Sequence, residues 1–223
     1  MCAQIPTRGA AGSRLLDRAL RHFRRRRMRR VVEDLGITAR TTVLDVGGTP
    51  YNWSLAPLCP RVTIVNLARA GAEMGGAAWV IADGRRLPFR DRAFEVVFSN
   101  SVIEHLGDER SQAEFAREVA RVGRFFYVQT PNRWFPIEHH LLTPFLHFLP
   151  AKLAGWLARR FTLWRLLARP SPDRAKYYIE HYLADVRLLD AGGLAKLFPK
   201  AIIARERFLG FTKSLAAARR PGR

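Results

Sequence analysis

The residues with the clearest chemical potential fall in one stretch, Thr41 to Asn52, which reads TTVLDVGGTPYN. Val43, Leu44 and Val46 make the short apolar run expected of a buried parallel strand. An acid and two glycines, Asp45, Gly47 and Gly48, close it. Glycine lets the backbone turn sharply there and lets a ligand come close, because no Cβ stands in the way. Ligands of open α/β sheets sit beyond the carboxyl ends of the strands. The turn is therefore a candidate cofactor site. A plain tight turn would use the same residues, so the motif needs support from the rest of the chain.

The elements that would position this turn follow an α/β alternation. Strands are expected at Thr42–Val46, Arg61–Leu67, Trp79–Ala82, Phe94–Asn100 and Arg124–Thr130, with a helix over Ser111–Val122 whose Phe115, Val119 and Val122 share a face. Strands alternating with helices imply a parallel sheet covered on both sides. Ahead of it, residues 1–11 lack periodicity. A helix is expected from Ser13, with Leu16, Leu20, Phe23, Val31 and Leu35 near helical spacing and Gly36 as its stop. Its polar face carries Arg21, Arg24, Arg25, Arg26, Arg27, Arg29 and Arg30. That face is either solvated or a dock for an anionic partner. After the fifth strand, residues 133–172 break the alternation. A helix is then expected over Tyr177–Ala191, interrupted by Gly192 and Gly193, and a short helical turn over Leu194–Phe198. Ala201–Phe208 and Phe211–Ala217 read as a hairpin, which makes the last strand antiparallel. The tail from Arg219 reads as loose.

Length and composition set bounds. A chain of 223 residues can bury one good core. The net charge of +19 suits nucleic acid, an acidic membrane surface or an acidic substrate, and it equally suits an Arg-rich genome. Two cysteines, Cys2 and Cys59, suggest a reducing, cytoplasmic setting rather than a disulfide framework. No secretory h-region and no apolar run of about 18 residues is present. No metal-ligand spacing stands out.

The motifs resemble the class I S-adenosylmethionine-dependent methyltransferases, in the small-molecule, type 11-like form of the domain. TVLDVGG resembles the first motif. VTIVNL stands where the second strand ends in a ribose-binding residue. IADGRRLPFRDRAFEVVFSNSVIEHLGD resembles the middle section, and LFPKAIIARERFLGFTKSLAA the terminal strand pair. The resemblance implies a Rossmann-like, mostly parallel seven-stranded sheet ending in an antiparallel hairpin, with helices on both faces. It implies S-adenosyl-L-methionine as cofactor. It divides the chain into a basic N-terminal helix region at 1–38 and a methyltransferase domain at 39–218, with an insertion at about 133–172.

On that resemblance each position has a task. Gly47 and Gly48 would let the backbone lie against the amino acid and ribose of the cofactor. Asp45 would offer a carboxylate to its ammonium, directly or through water, or would merely cap the turn. Asn66, 21 positions after Asp45, stands near the offset of about 20 expected of a ribose-binding acid. The family usually has Asp or Glu there. Asn can still bind the diol, and an aspartate would bind as well or better. Asp83 would accept from the adenine amine and Gly84 would leave room beside the ring, although Asp-Gly also makes a type I′ turn. Asn100, with Ser99, would face the methionine part and the acceptor. A general base is needed only for a poorly acidic hydroxyl or a protonated amine. His105 is one candidate, in an "EHL" context that is often structural. His139, His140 and Glu138 are others, with His140 favoured.

Within Leu141–Arg169, aromatic and aliphatic residues alternate with Lys152, Arg159, Arg160, Arg165 and Arg169. They describe a lid over a greasy acceptor pocket or an interfacial segment resting on an anionic membrane. The leading reading is methyl transfer to a small-molecule acceptor, with an apolar or lipid-linked one suiting this segment and peripheral membrane attachment suiting its arginines. The alternatives are nucleic-acid methylation, suggested by charge but lacking an Asn-Pro-Pro-Tyr string, and a non-catalytic methyltransferase-like fold that binds anionic surfaces. A dehydrogenase is disfavoured because Gly-x-Gly-x-x-Gly is absent.

Overall fold

The computed structural model describes residues 11–68, 77–138, 140–168 and 170–222. The aperiodic stretch 1–11 therefore falls almost wholly outside the described residues. Cys2, His139 and Arg169 also lie outside them, as do the side chains of Leu16, Leu20 and Leu167.

The first helix, α1, runs from Ala11 to Leu35 and stops where Gly36 takes a φ of 61°. Ser13 thus lies inside the helix instead of capping it. The chain continues through β1 (Thr42–Val46), the short α2 (Pro50–Trp53), β2 (Arg61–Asn66), β3 (Ala78–Ile81), β4 (Phe94–Asn100), a 3₁₀ turn at Ile103–His105, α3 (Glu109–Val122) and β5 (Gly123–Pro131). The insertion supplies a two-stranded pair, β6 (Ile137–Glu138) and β7 (Thr143–Pro144), then α4 (Ala151–Arg160) and α5 (Leu163–Ala168). The chain closes with α6 (Pro172–Asp185), α7 (Ala191–Leu197), β8 (Ile202–Phe208) and β9 (Phe211–Arg219).

Seven strands form one sheet in the order β3-β2-β1-β4-β5-β9-β8. The first five run parallel, and β9 pairs antiparallel with both β5 and β8. β1 is central and buried on both faces, which is why its sequence is an unbroken apolar run around one acid. Alternate side chains serve opposite layers. Leu44, Val46, Val97 and Val128 pack under Phe115, Val119 and Val122 of α3 and Leu194 of α7. Val43, Ile64, Val96 and Phe98 pack under Met28, Val31, Val32 and Leu35 of α1. Asp108 caps α3 by accepting from the Ser111 amide at 2.7 Å.

The helix expected over Tyr177–Ala191 ends earlier, at Asp185. Leu189 bridges to Asn132 beside β5, and its carbonyl accepts from the Arg133 amide. Asp190 then starts α7 by accepting from the Gly193 amide at 2.8 Å, so the two glycines open a helix rather than interrupt one. The tail is also tied down further than expected. Arg219 belongs to β9 and donates to the carbonyls of Ala120, Gly123 and Arg124. Arg220 pairs with Asp34 at 2.9 Å.

The insertion has its own small core, in which Leu141, Leu146, Ala154, Ala158 and Trp164 meet Ala175 and Ile179 of α6. Trp164 is buried and stacks on Tyr178 at 4.7 Å, whereas Phe145, Phe148, Leu153, Trp156, Phe161, Leu163 and Leu166 are exposed. No described helix is long and apolar enough to cross a membrane.

One arginine of the basic helix is not on its polar face. Arg27 is buried and pairs with Glu206 of β8, its Nε donating to Oε1 at 3.0 Å and Nη2 to Oε2 at 2.5 Å. Its Nη1 donates to Asn100 Oδ1 and Gln129 Oε1. Burial pushes the Glu206 carboxyl up, but Arg27 outweighs that and holds it at about 2. Arg24 lies over the Tyr51 ring, which leaves Arg21, Arg25, Arg26, Arg29 and Arg30 as the exposed basic face.

Candidate functional site

The carboxyl ends of β1, β2 and β4 lie side by side, and the loops leaving them carry the candidate residues in two groups. The first is the glycine turn after β1. Gly47 takes a φ of 73° and its amide donates to the Val65 carbonyl of β2 at 2.7 Å. A Cβ on Gly47 would lie 2.6 Å from a methyl of Val102. One on Gly48 would lie 2.0 Å from the Asp45 carboxyl carbon. The turn can therefore be built only from glycine.

Asp45 is fully buried beneath this turn. Its Oδ2 accepts from Trp53 Nε1 at 2.9 Å, and its Oδ1 is buried with no partner. Burial pushes the carboxyl up to about 7, with the Trp53 hydrogen bond pulling the other way. An unpaired buried carboxylate oxygen is costly unless it gains a donor. A ligand ammonium, or a water held by one, would supply it. The unpaired oxygen fits the ammonium of S-adenosylmethionine, while the glycines are required by packing, Gly47 against Val102 and Gly48 against Asp45.

Asn66 ends β2 and reaches back to the turn. Its Nδ2 donates to the Gly48 carbonyl at 3.1 Å, and its Oδ1 accepts from the Leu67 amide at 2.9 Å. It therefore fastens the turn, a task that needs the amide donor and that an aspartate would lack. Asp83, just after β3, is gripped by Arg85, whose Nη2 and Nε donate to Oδ2 at 2.6 and 2.9 Å. That grip holds the carboxyl below the usual range. Gly84 lies against the core, since a Cβ there would meet Phe115 and Val46 at 2.9 Å. The Leu87-Pro88-Phe89 turn is clamped from α3: Glu118 accepts from the Leu87 amide, and Arg121 donates to the Leu87 and Phe89 carbonyls. Asn100 ends β4 with its side-chain oxygen held by Arg27, and Ser99 ties β4 to β1 by donating to the Val46 carbonyl at 3.0 Å.

The second part follows β4. The 3₁₀ turn carries Glu104 and His105, and the β6–β7 pair of the insertion brings His140 against them. The two His Nε2 atoms are 3.2 Å apart, with the rings at 90°. His140 Nδ1 is 2.6 Å from Glu138 Oε1, and Glu138 Oε2 accepts from the Leu141 amide at 2.6 Å. Glu138 and Glu104 are fully buried. Glu104 Oε2 accepts from Thr130 Oγ1 at 2.9 Å, and its Oε1 is buried without a partner. Burial, then the neighbouring His140, push His105 down to about 4. Burial also pulls on His140, but the Glu138 hydrogen bond outweighs it and holds that imidazole up. A shallow depression of about 310 Å³ lined by Asn132, Trp134, Asp190 and Arg205 lies elsewhere, at the β5–β9 side.

Sequence reasoning overlooked Glu104 and Arg27. Both carried a signal. Arg27 falls four residues after Phe23 and four before Val31, on the apolar stripe of α1. Glu104 stands between Ile103 and His105, an acid in an apolar turn.

Residues 49–125, about a third of the chain, match the family model described as a methyltransferase domain. No curated protein sequence matches the chain. Among solved structures, a Haloferax volcanii methyltransferase in complex with a methyltransferase activator superposes with a TM-score of 0.53 at 13% identity, over 93% of each chain. The 1,6-didemethyltoxoflavin-N1-methyltransferase of Burkholderia thailandensis, solved with its small molecule and S-adenosylhomocysteine, gives 0.52 at 12% identity, over 93% of this chain and 81% of that one. A Bordetella parapertussis protein described as a possible exported protein gives 0.53 at 16% identity, over 99% and 77%. These likenesses show the fold, a mostly parallel seven-stranded methyltransferase sheet with an antiparallel closing pair.

Proposed function

We propose that this chain, which carries the class I S-adenosylmethionine-dependent methyltransferase fold, transfers a methyl group from that cofactor to a small-molecule acceptor, apolar or lipid-linked. The observation that carries the reading is the glycine-only turn over a buried carboxylate with one unpaired oxygen, at the carboxyl edge of the central strand. Bound there, S-adenosylmethionine supplies an electrophilic methyl group on a sulfonium leaving group. The chain's own residues bind, orient and exclude water, which is most of what an in-line displacement asks of an enzyme. Gly47 and Gly48 let the turn close over Asp45 and against Val102. Asp45 Oδ1 would accept from the cofactor's ammonium. Asn66 holds the turn in shape, and Asp83 with Gly84 borders the far end. Asn100, anchored by Arg27, borders the reacting end. A hydroxyl or protonated-amine acceptor must lose a proton, and the His105–His140 pair is the polar group beside β4 placed to deal with it.

The preference for an apolar or lipid-linked acceptor rests on the exposed row of Phe145, Phe148, Trp156, Phe161, Leu163 and Leu166. Arg160 lies over the Trp156 ring at 5.6 Å. Trp156 is 50% exposed and can enter a lipid headgroup layer, whereas Trp164, 3% exposed, cannot. The Burkholderia neighbour's small-molecule ligand supports a small acceptor. The test is transfer of labelled methyl to three pools: a lipid extract as anionic vesicles, polar metabolites and total RNA. Label in the vesicle lipids, with co-sedimentation that weakens in high salt, is expected. Label in RNA alone would overturn the acceptor class, and label in none of the pools would overturn the activity.

A further inference from the structure

We propose that Glu104, His105 and His140 form a binding site for a divalent transition-metal cation of the Zn²⁺, Co²⁺ or Mn²⁺ kind, with Glu138 as its supporting carboxylate. One ligand atom from each of the three residues lies within 4.8 Å of the others. The two imidazole Nε2 atoms face each other at 3.2 Å. Two imidazoles bound at about 2.0–2.1 Å to one tetrahedral ion would have nitrogens roughly 3.3 Å apart. The observed spacing is thus that of two ligands on a shared ion.

The supporting contacts point the same way. Glu138 lies 2.6 Å from His140 Nδ1 and, fully buried, is itself fixed by the Leu141 amide. A carboxylate on Nδ1 keeps the hydrogen there and leaves the Nε2 lone pair free to ligate, which is the usual arrangement behind a metal-bound histidine. Glu104 offers the third group. Thr130 satisfies one of its oxygens, and the other is buried with no partner. A direct Nε2–Nε2 hydrogen bond would explain the spacing of the histidines. It would leave that oxygen unexplained, whereas a cation accounts for both. Two histidines and one carboxylate are a donor set for Zn²⁺, Fe²⁺, Mn²⁺ or Co²⁺ that leaves coordination positions open.

The three residues lie just past the carboxyl end of β4, where the insertion meets the sheet. An acceptor hydroxyl bound to the ion would be made more acidic and would release its proton to solvent, which replaces a side-chain base. That consequence rests on the methyltransferase reading; binding of the ion does not.

Cobalt is the probe. Tag-free protein stripped with chelator is titrated with Co²⁺ while the visible absorption is followed, then challenged with Zn²⁺. One Co²⁺ per chain, displaced by Zn²⁺, is expected. His105→Gln should abolish the spectrum, and Glu138→Gln should weaken affinity by about 10–100-fold. Circular dichroism and S-adenosylhomocysteine calorimetry on the same samples report folding and the cofactor half. No saturable Co²⁺ spectrum, or one unchanged in folded His105→Gln, overturns the site. S-adenosylhomocysteine binding without Co²⁺ binding sinks the ion and spares the methyltransferase reading; the converse sinks that reading alone.

Discussion

The two parts of the candidate site each bury a carboxylate with one unpaired oxygen, Asp45 under the glycine turn and Glu104 beside the histidines. Their surroundings differ in origin. The groups around Asp45 are near it in sequence: Gly47 and Gly48 follow at once, and Trp53 donates from eight residues on. Apart from its neighbour His105, the groups around Glu104 are distant. Thr130 comes from β5, and His140 and Glu138 come from the insertion. Local assembly suits a site that any acceptor chemistry can share. Assembly from an insertion suits a site that a particular acceptor requires. The two halves should therefore fail separately.

The largest expected effect strikes the glycine half. Gly47→Val must adopt a φ near 73° and push its Cβ to 2.6 Å from Val102. A β-branched residue there costs on the order of 1–3 kcal/mol in backbone strain alone. Calorimetry should show S-adenosylhomocysteine affinity reduced by about 100-fold, with a lower melting temperature. Gly48→Ala sharpens the point, because its φ is not in the left-handed region and only crowding against Asp45 is at stake.

Asp45 gives the next effect, read through pH. Burial raises its folded pKa from 3.8 to about 7. The unfolded chain releases this proton near pH 4 and the folded chain keeps it to near pH 7, so the folded state binds more protons between those values. Stability therefore falls as pH rises from about 4 to about 7, by an amount on the order of a few kcal/mol, and levels off above. Denaturation of Asp45→Asn across pH 5–8 should show that slope flattened. Cofactor binding by the parent should strengthen as pH passes 7, since an ionised carboxylate meets the ammonium.

A smaller effect is expected at Asn66. From the sequence, an aspartate there should serve the ribose as well or better. In the structure Asn66 donates to the Gly48 carbonyl, and Asn66→Asp would remove that donor and set a carboxylate against it. Affinity for S-adenosylhomocysteine should fall by roughly tenfold, the loss of about one hydrogen bond. Unchanged or tighter binding would return Asn66 to the ribose.

The same contrast decides what the sequence disclosed. β1 and β4 were legible to the residue because buried strands are written in consecutive residues, and the closing hairpin because Leu209-Gly210 separates two strand-length stretches. The glycine turn was legible because its geometry admits only one residue type. Arg27 was not, because a run of arginines hides the one that falls on the buried stripe and finds Glu206, 179 positions away. His140 was visible as a candidate, but its pairing with His105 depended on the path of an insertion that has no periodic pattern. The early end of α6 turned on Asp190, whose capping of α7 outweighs the helical spacing of the residues before it.

Calorimetric titration of S-adenosylhomocysteine into the parent, Gly47→Val and His105→Gln tests the central claim most directly. Two separate halves with a cofactor site on the glycine side predict one ligand bound per chain in the parent, unchanged affinity in His105→Gln and affinity reduced by about 100-fold in Gly47→Val. No binding by the parent, or binding by folded Gly47→Val as tight as the parent's, would contradict it.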